Sequence, residues 1–150
     1  MMRAAFYKGT RPGIAGAYNR VVRAWESGAH SHVELVFSDG VAASASLMDK
    51  GVRFKRIEWN ADNWDFIELP QFSENRARGW FIENDGAPYD LLGQLHFIAL
   101  PVQGADDKFF CSEAVAAALG FPEAWRFGPN LLRATLAGVP FYSTQFMGVA

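Results

Sequence analysis

The single cysteine of the chain, Cys111, lies where a short helix is predicted to begin. A run of three alanines follows it, and Gly120 is of the residue type that most often ends a helix. The free N–H groups and the dipole of a helix N-terminus favour an anion, so they lower the pKa of a thiol there and can also hold an oxyanion. Cys111 is therefore a candidate nucleophile. A buried structural cysteine is the alternative, because free cysteines are among the most buried residues.

A thiol nucleophile needs a base, and the chain offers three histidines, His30, His32 and His96. His96 lies among apolar residues of a predicted helix, where a structural imidazole is the simpler interpretation. His32 opens a strand whose alternate residues point into the core, so His32 and Glu34 share the opposite face. We expect the helix of Cys111 to dock on that face, where its thiol would meet His32. The core-facing residues of the strand are Val33, Leu35 and Phe37.

A predicted hairpin brings two serines beside His32. Residues that share a face must be neighbours across the two strands, and this condition fixes the register. Ser46 then lies opposite His32, and Ser44 lies opposite Glu34. The face that carries these polar residues either lines a cleft or is a plain solvated surface. The pairs on the core face are Val33 with Ala45, Leu35 with Ala43 and Phe37 with Val41.

A zinc site is an alternative use of the histidines. His30 and His32 are two residues apart, a spacing that places two imidazoles on one side of a strand, and Cys111 with a carboxylate would complete the ligands. The chain has no second cysteine and no helical His-Glu-x-x-His motif. We therefore expect no metal and no other cofactor.

The elements that must position these residues follow, after a short first strand, the order helix, strands, helices, which predicts an α+β fold rather than alternating α/β. Alternating residues predict the strands, and apolar stripes at helical spacing predict the helices. The hairpin loop is 38–40, with Gly40 in the left-handed conformation. Predicted strands cover 3–8, 32–37, 41–48, 52–58 and 65–69. Predicted helices cover 13–28, 73–86, 89 or 90 to 100, 111–120 and 130–137.

Composition and charge fit one domain over residues 1–150. The chain has 14 Lys+Arg and 16 Asp+Glu, a net charge of −2, and so lacks the basic stripe that nucleic-acid binding needs. Hydrophobic residues make up 50% of the chain, enough for a core without metal or disulfide. Neither a signal-peptide core nor an apolar run of the about 18 residues that span a membrane is present. We expect a cytoplasmic protein of undefined oligomeric state.

Two motif blocks resemble the NlpC-type cell-wall peptidases, which belong to the papain-like group. Gly86-Ala87-Pro88-Tyr89, followed by Cys111-Ser112, is similar to their Gly-x-Pro-Tyr and Cys-Ser blocks. His32-Val33 and Ser44-Ala45-Ser46 are similar to their histidine strand and to the adjacent strand that bears a third polar residue. The resemblance covers about residues 30–135.

The order of the blocks is permuted, because the histidine precedes the cysteine. This is the order of the branch that includes YiiX-like proteins and the relatives of lecithin-retinol acyltransferase. Phe110-Cys111-Ser112-Glu113, with Ser31-His32-Val33-Glu34 and Gly51-Val52, is similar to small permuted papain-like peptidases, some of them encoded by phages. The resemblance implies a circularly permuted papain-like fold, in which the helix of the cysteine packs against an antiparallel sheet.

The resemblance implies Cys111 as the nucleophile and His32 as the general base and acid of a cysteine peptidase or amidase. Tyr89 matches the tyrosine beside the cleft, where its hydroxyl would assist the oxyanion. The substrate would be a peptide, a peptidoglycan stem peptide or another acyl compound, and a phage-encoded member would be associated with the virion. The alternatives are a non-catalytic papain-like accessory or virion module and a permuted acyltransferase acting on a lipid or an ester.

The residue expected to orient His32 is Ser44. It falls where the family places this residue, although a serine departs from the usual His, Asn, Gln or Glu. Glu34 brings a charge, but it must curl along its own strand, where same-face neighbours are about 6.5–7 Å apart. In papain-type sites the thiolate already supplies the counter-charge to the imidazolium. We therefore favour Ser44, then Ser46, with Glu34 as the alternative that supplies charge.

Overall fold

An antiparallel sheet forms the centre of the fold. The computed structural model describes residues 1–10, 12–90 and 107–138. The strands are β1 (Arg3–Tyr7), β2 (His32–Val36), β3 (Ala42–Ser46), β4 (Gly51–Lys55) and β5 (Trp64–Glu68). The helices are α1 (Gly13–Trp25), α2 (Glu74–Glu83), α3 (Cys111–Leu119) and α4 (Pro129–Gly138), with a 3-10 turn at Ala124–Arg126. The five strands have the order β4-β3-β2-β1-β5 with every pair antiparallel, and the predicted α+β class is confirmed.

The hairpin between β2 and β3 has the predicted register. Leu35 lies opposite Ala43, and the Phe37 N–H donates to the Val41 carbonyl at 2.9 Å. Gly40 closes the loop with a φ of 82°, in the left-handed region that favours glycine. Alternation with a period of two fixes this register, because a slip by one residue would move every side chain to the other face.

Helix α3 packs on the sheet face that carries Val33 and Leu35, which is opposite the face of His32. Its Ala114, Val115 and Ala118 belong to the same buried cluster as those two residues. The prediction that the helix docks on the face of His32 is therefore wrong. An alanine-rich helix side needs close contact with an apolar surface, and the face of His32 also carries the charged Glu34 and Arg53. A separate apolar cluster on that second face contains Ala5, Tyr7, Val36, Ala42 and Trp64.

Two helix ends lie where the sequence predicts them. The Ser73 hydroxyl caps α2 by accepting a hydrogen bond from the Arg76 N–H at 3.3 Å. Gly120 ends α3 with a φ of 86°. Both ends therefore follow from local residue types rather than from tertiary contacts.

The helix predicted from 89 or 90 to 100 falls outside the described residues beyond Asp90, and His96 lies outside them as well. The structural role of His96 therefore stays a prediction. Of the helices that the structure describes, none has the length and apolar character needed to cross a membrane.

Candidate active site

Cys111 is the first residue of α3 and is buried, with 1% of its surface exposed. The preceding Phe110 is extended, and its carbonyl accepts the first helical hydrogen bond from the Ala114 N–H at 3.0 Å. The N–H groups of residues 111–113 therefore precede the hydrogen-bond ladder of the helix. Glu113 turns back to accept a hydrogen bond from the Phe110 N–H at 3.4 Å, which fixes how the chain enters the helix. The thiol thus lies at a fixed helix N-terminus.

Cys111 lies near the imidazole of His32 and raises the pKa of that ring. Each is the first residue of its element, so the two side chains meet where β2 and α3 begin, although α3 packs on the other face. The imidazole Nε2 lies 2.7 Å from Oε1 of Glu34, which leaves Nδ1 for the thiol. Burial would lower the pKa of His32, but the charge of Cys111 and the contacts with Cys111 and Glu34 outweigh it and raise the pKa to about 9. The ring therefore carries a proton at neutral pH.

Glu34 is the carboxylate that holds the imidazole, and only 1% of its surface is exposed. Arg53 donates to both of its oxygens, from Nη1 to Oε2 at 2.7 Å and from Nη2 to Oε1 at 2.6 Å. Burial raises the pKa of Glu34, but the hydrogen bonds of Arg53 and His32 prevail and lower the pKa to about 2. Glu34 is therefore a carboxylate held between two cations.

Ser44 does not contact the imidazole, contrary to the prediction. Its buried hydroxyl donates to the Val33 carbonyl at 2.7 Å, just past the last pair of the β2–β3 ladder. Ser46, the second choice, accepts a hydrogen bond from the Asp49 N–H at 3.3 Å in the following turn. Both serines satisfy backbone groups that the ladder leaves without a partner. The orienting contact belongs to Glu34, the alternative that supplies charge.

Tyr89 lies beside the start of α3 through its backbone. It forms a parallel bridge with Phe109, and the preceding Pro88 forms an antiparallel bridge with Gly51. A Cβ at Gly51 would lie 2.2 Å from the Ala87 carbonyl oxygen, so this close approach requires glycine. The segment Gly86-Ala87-Pro88-Tyr89 thus connects the start of β4 to the start of α3. The role of the Tyr89 hydroxyl at the oxyanion stays a prediction.

His30 and His32 point to different partners, contrary to the argument from their spacing. The Nε2 of His30 lies 2.7 Å from Asp65 and its Nδ1 lies 3.3 Å from Asn130. His30 precedes β2, so the alternation of a strand does not govern its direction. In the part of the chain that the structure describes, no group of three or more His, Cys, Asp or Glu residues could hold a metal ion.

Sequence reasoning missed Arg53 and the contact between Trp64 and His32. Arg53 lies opposite Ser44 in the ladder of β3 and β4. Extending the pairing argument by one more strand would therefore have placed Arg53 on the face of Glu34. The ring of Trp64 meets the imidazole edge to face, with centroids 6.4 Å apart. Trp64 lies on β5, two strands from β2, a proximity that no local pattern indicates.

No family model matches the chain, and the comparisons with curated proteins and with solved structures found no significant match. The chemistry open to the site therefore follows from its own geometry. A thiol at a helix N-terminus contacts an imidazolium, and a carboxylate fixes that ring from its other side. Such a line of residues can activate a thiol as a nucleophile and deliver a proton to a leaving group.

Proposed function

We propose that the chain is a thiol hydrolase, a cysteine peptidase or amidase with a circularly permuted papain-like fold. The observation that carries the proposal is the position of His32 between the thiol of Cys111 and the carboxylate of Glu34. A structural cysteine needs no such neighbours, and burying charged groups costs several kcal/mol unless they are paired. The charges therefore favour a chemical role for the thiol.

Acylation begins when the Cys111 sulfur attacks the carbonyl carbon of an amide. The carbonyl oxygen becomes an oxyanion, which the N–H groups of residues 111–113, ahead of the helical hydrogen-bond ladder, can bind. The imidazolium of His32 gives its proton to the nitrogen of the leaving group as the carbon–nitrogen bond breaks. An amine leaves, and the acyl group stays on Cys111 as a thioester.

Deacylation uses the same residues in reverse. The neutral imidazole of His32 removes a proton from water, and the water oxygen attacks the thioester carbonyl. The carbon–sulfur bond then breaks, which releases a carboxylic acid and restores the thiolate with its imidazolium. Glu34 keeps the ring in one orientation through both halves of the cycle, since its contact with Nε2 leaves Nδ1 directed at the reacting atoms.

The resemblance of the motif blocks supports the fold named in this proposal. A cysteine at the first residue of a helix, an antiparallel sheet under that helix and a histidine strand earlier in the chain are the features that the permuted papain-like fold implies. Peptides, peptidoglycan stem peptides among them, are the substrate class that goes with this resemblance.

An acylation assay tests the proposal. We expect p-nitrophenyl acetate to release a burst of one nitrophenolate per chain and to leave one acetyl group on Cys111, which peptide mass spectrometry locates. Cys111→Ala and His32→Ala should each abolish the burst, and the double variant should be no worse, because members of one catalytic unit are strongly non-additive. Peptide amides and muropeptide fragments then test hydrolysis of the natural bond type.

Three outcomes would contradict the proposal. Absence of an acyl-enzyme would favour a binding module without catalysis. Independent, multiplying losses in the two variants would show that Cys111 and His32 do not act together. Transfer of the acyl group to an added amine or alcohol in preference to water would identify an acyltransferase.

A further inference from the structure

We infer that Arg53 is a positioning residue of this site, which fixes the carboxylate of Glu34 against the imidazole, and that Asp49 fixes Arg53 in turn. The inference rests on the proposed function, because Arg53 acts through Glu34. Nothing in the motif blocks points to Arg53, whose place follows from the ladder between β3 and β4 alone.

The guanidinium of Arg53 holds both oxygens of Glu34. Its Nη1 and Nη2 lie 2.7 Å and 2.6 Å from the two carboxylate oxygens, a two-bond fork that sets the plane of the carboxylate. Oε1 receives both Nη2 and the imidazole Nε2, the latter at 2.7 Å. The fork therefore determines where the oxygen that contacts the imidazole lies.

Asp49 fixes the guanidinium from its outer side. Nε of Arg53 donates to Oδ2 of Asp49 at 2.8 Å, and Lys55 donates to the other oxygen of Asp49 at 2.9 Å. The exposed side-chain fraction rises along this line, from 2% at Glu34 to 16% at Arg53, 27% at Asp49 and 50% at Lys55. The charges alternate along the line, so a buried carboxylate is linked stepwise to the surface.

Glu34 without Arg53 would be a buried carboxylate with a single cationic partner. Burial raises the pKa of Glu34, and the hydrogen bonds of Arg53 are the largest influence that lowers it. Loss of Arg53 should therefore allow Glu34 to take up a proton in mildly acidic solution. The carboxyl group would also be free to rotate away from the imidazole, since the fork that sets its plane would be gone.

The first test needs no substrate. The Nε2 proton of His32, bound to a carboxylate, should give a far-downfield proton resonance in NMR spectra, assigned by its loss in His32→Ala. Arg53→Met should weaken or abolish this resonance, because a mobile carboxylate lets the proton exchange with water. Arg78→Met removes an arginine that pairs with Asp39 away from the site, and it should leave the resonance unchanged.

The second test is kinetic, on any peptide or ester that the wild type turns over. Arg53→Met should lower kcat by about 10- to 100-fold with little change in KM, since misplacing a catalytic group by about 1 Å can cost about 100-fold. Arg53→Met added to Glu34→Gln should cost nothing further, because the carboxylate it positions is already absent.

Milder variants keep the test decisive if Arg53→Met fails to fold. Arg53→Lys retains the charge but cannot form two parallel hydrogen bonds, so it should give an intermediate loss. Asp49→Asn should give a smaller loss in the same direction. An unchanged resonance and unchanged kcat in the folded variants would overturn the inference, as would independent losses in the double variant with Glu34→Gln.

The two proposals can fail separately. If no variant or wild type turns over any acyl substrate, the proposed function fails, and the resonance of His32 still decides whether Arg53 positions Glu34. If the wild type is active and Arg53→Met matches it in kcat, pH profile and resonance, the inference fails and the proposed function stands.

Discussion

The charge of Glu34 should set the pH at which His32 loses its proton. Glu34→Gln preserves the shape of the side chain but removes a negative charge 2.7 Å from the imidazole Nε2. An opposite charge in contact shifts a pKa by about 1–3 units, so the pKa of His32 should fall from about 9 to about 7. At about pH 8 the protonated fraction would then fall from about nine-tenths to about one-tenth, a loss of about 10-fold.

The assay is kcat/KM as a function of pH, because its alkaline limb reports the essential acid of the free enzyme. In Glu34→Gln this limb should move down by about 2 pH units, and the loss should be smaller below about pH 6, where both imidazoles are protonated. Glu68→Gln changes an exposed carboxylate on β5 and is the matched control. If the alkaline limb of the pH profile stays in place while activity falls equally at every pH, the electrostatic reasoning is refuted. Glu34 would then act only by orienting the imidazole.

The same substitution should change how stability depends on pH. The pKa of His32 is raised from 6.5 to about 9, so its contribution is complete below about pH 6.5 and is lost as the pH rises through about 9. The pKa of Glu34 is lowered from 4.5 to about 2, so its contribution is present above about pH 4.5 and is lost as the pH falls through about 2. Glu34→Gln should lower the free energy of unfolding by about 3 kcal/mol near pH 7. This is the lower end of the cost of breaking a buried ion pair, because Arg53 retains its hydrogen bond to Asp49.

Three further predictions concern the scaffold of the site. Ser44→Ala should cost about 1–3 kcal/mol in urea unfolding and leave kcat/KM unchanged, because it deprives the Val33 carbonyl of its donor; a large rate loss at unchanged stability would return the orienting role to the serine. Burial raises the pKa of Glu113 to about 7, so ionisation of this residue destabilises the folded state. In thermal melts Glu113→Gln should therefore become more stable relative to the wild type as the pH rises from about 5 to about 8. A difference in melting temperature that does not change with pH would contradict this. Gly120→Ala should cost about 1–2 kcal/mol because φ is 86°, whereas Gly79→Ala, with open space for its Cβ in α2, should not destabilise; equal effects of the two would exclude backbone strain as the cause.

Local periodicity was sufficient to predict the register of the β2–β3 hairpin, but not the pairing of β5 with β1. The pairing of Leu35 with Ala43 follows from alternation and from the conformation that Gly40 allows, both of which are properties of a few adjacent residues. The packing of α3 was not predictable in the same way. Alternation indicates which residues share a face, but not which face a helix covers. The alanines of α3 pack against the apolar face that contains Val33.

The sequence placed Cys111 and His32 together, but it ranked Ser44 and Ser46 above Glu34, the residue that contacts the imidazole. The prediction weighed the reach of a serine against the charge of Glu34 and assumed that the thiolate was counter-charge enough. It left out Arg53, which lies on β4, two strands away from β2. Arg53 holds the Glu34 carboxylate within hydrogen-bonding distance of the imidazole. A contact that depends on three strands in register cannot be found from one hairpin.

The proposed cycle also explains why a carboxylate at this position needs Arg53. In the resting state of that cycle a Cys111 thiolate would balance the imidazolium, and Glu34 would balance Arg53. In the acyl-enzyme Cys111 is a neutral thioester and His32 has given up its proton, so the imidazole no longer compensates the buried carboxylate. Arg53 alone then keeps Glu34 from being an unpaired buried charge, which would cost several kcal/mol. Without that cation, Glu34 would draw a proton back to the imidazole, and His32 could not act as the base that deacylation requires.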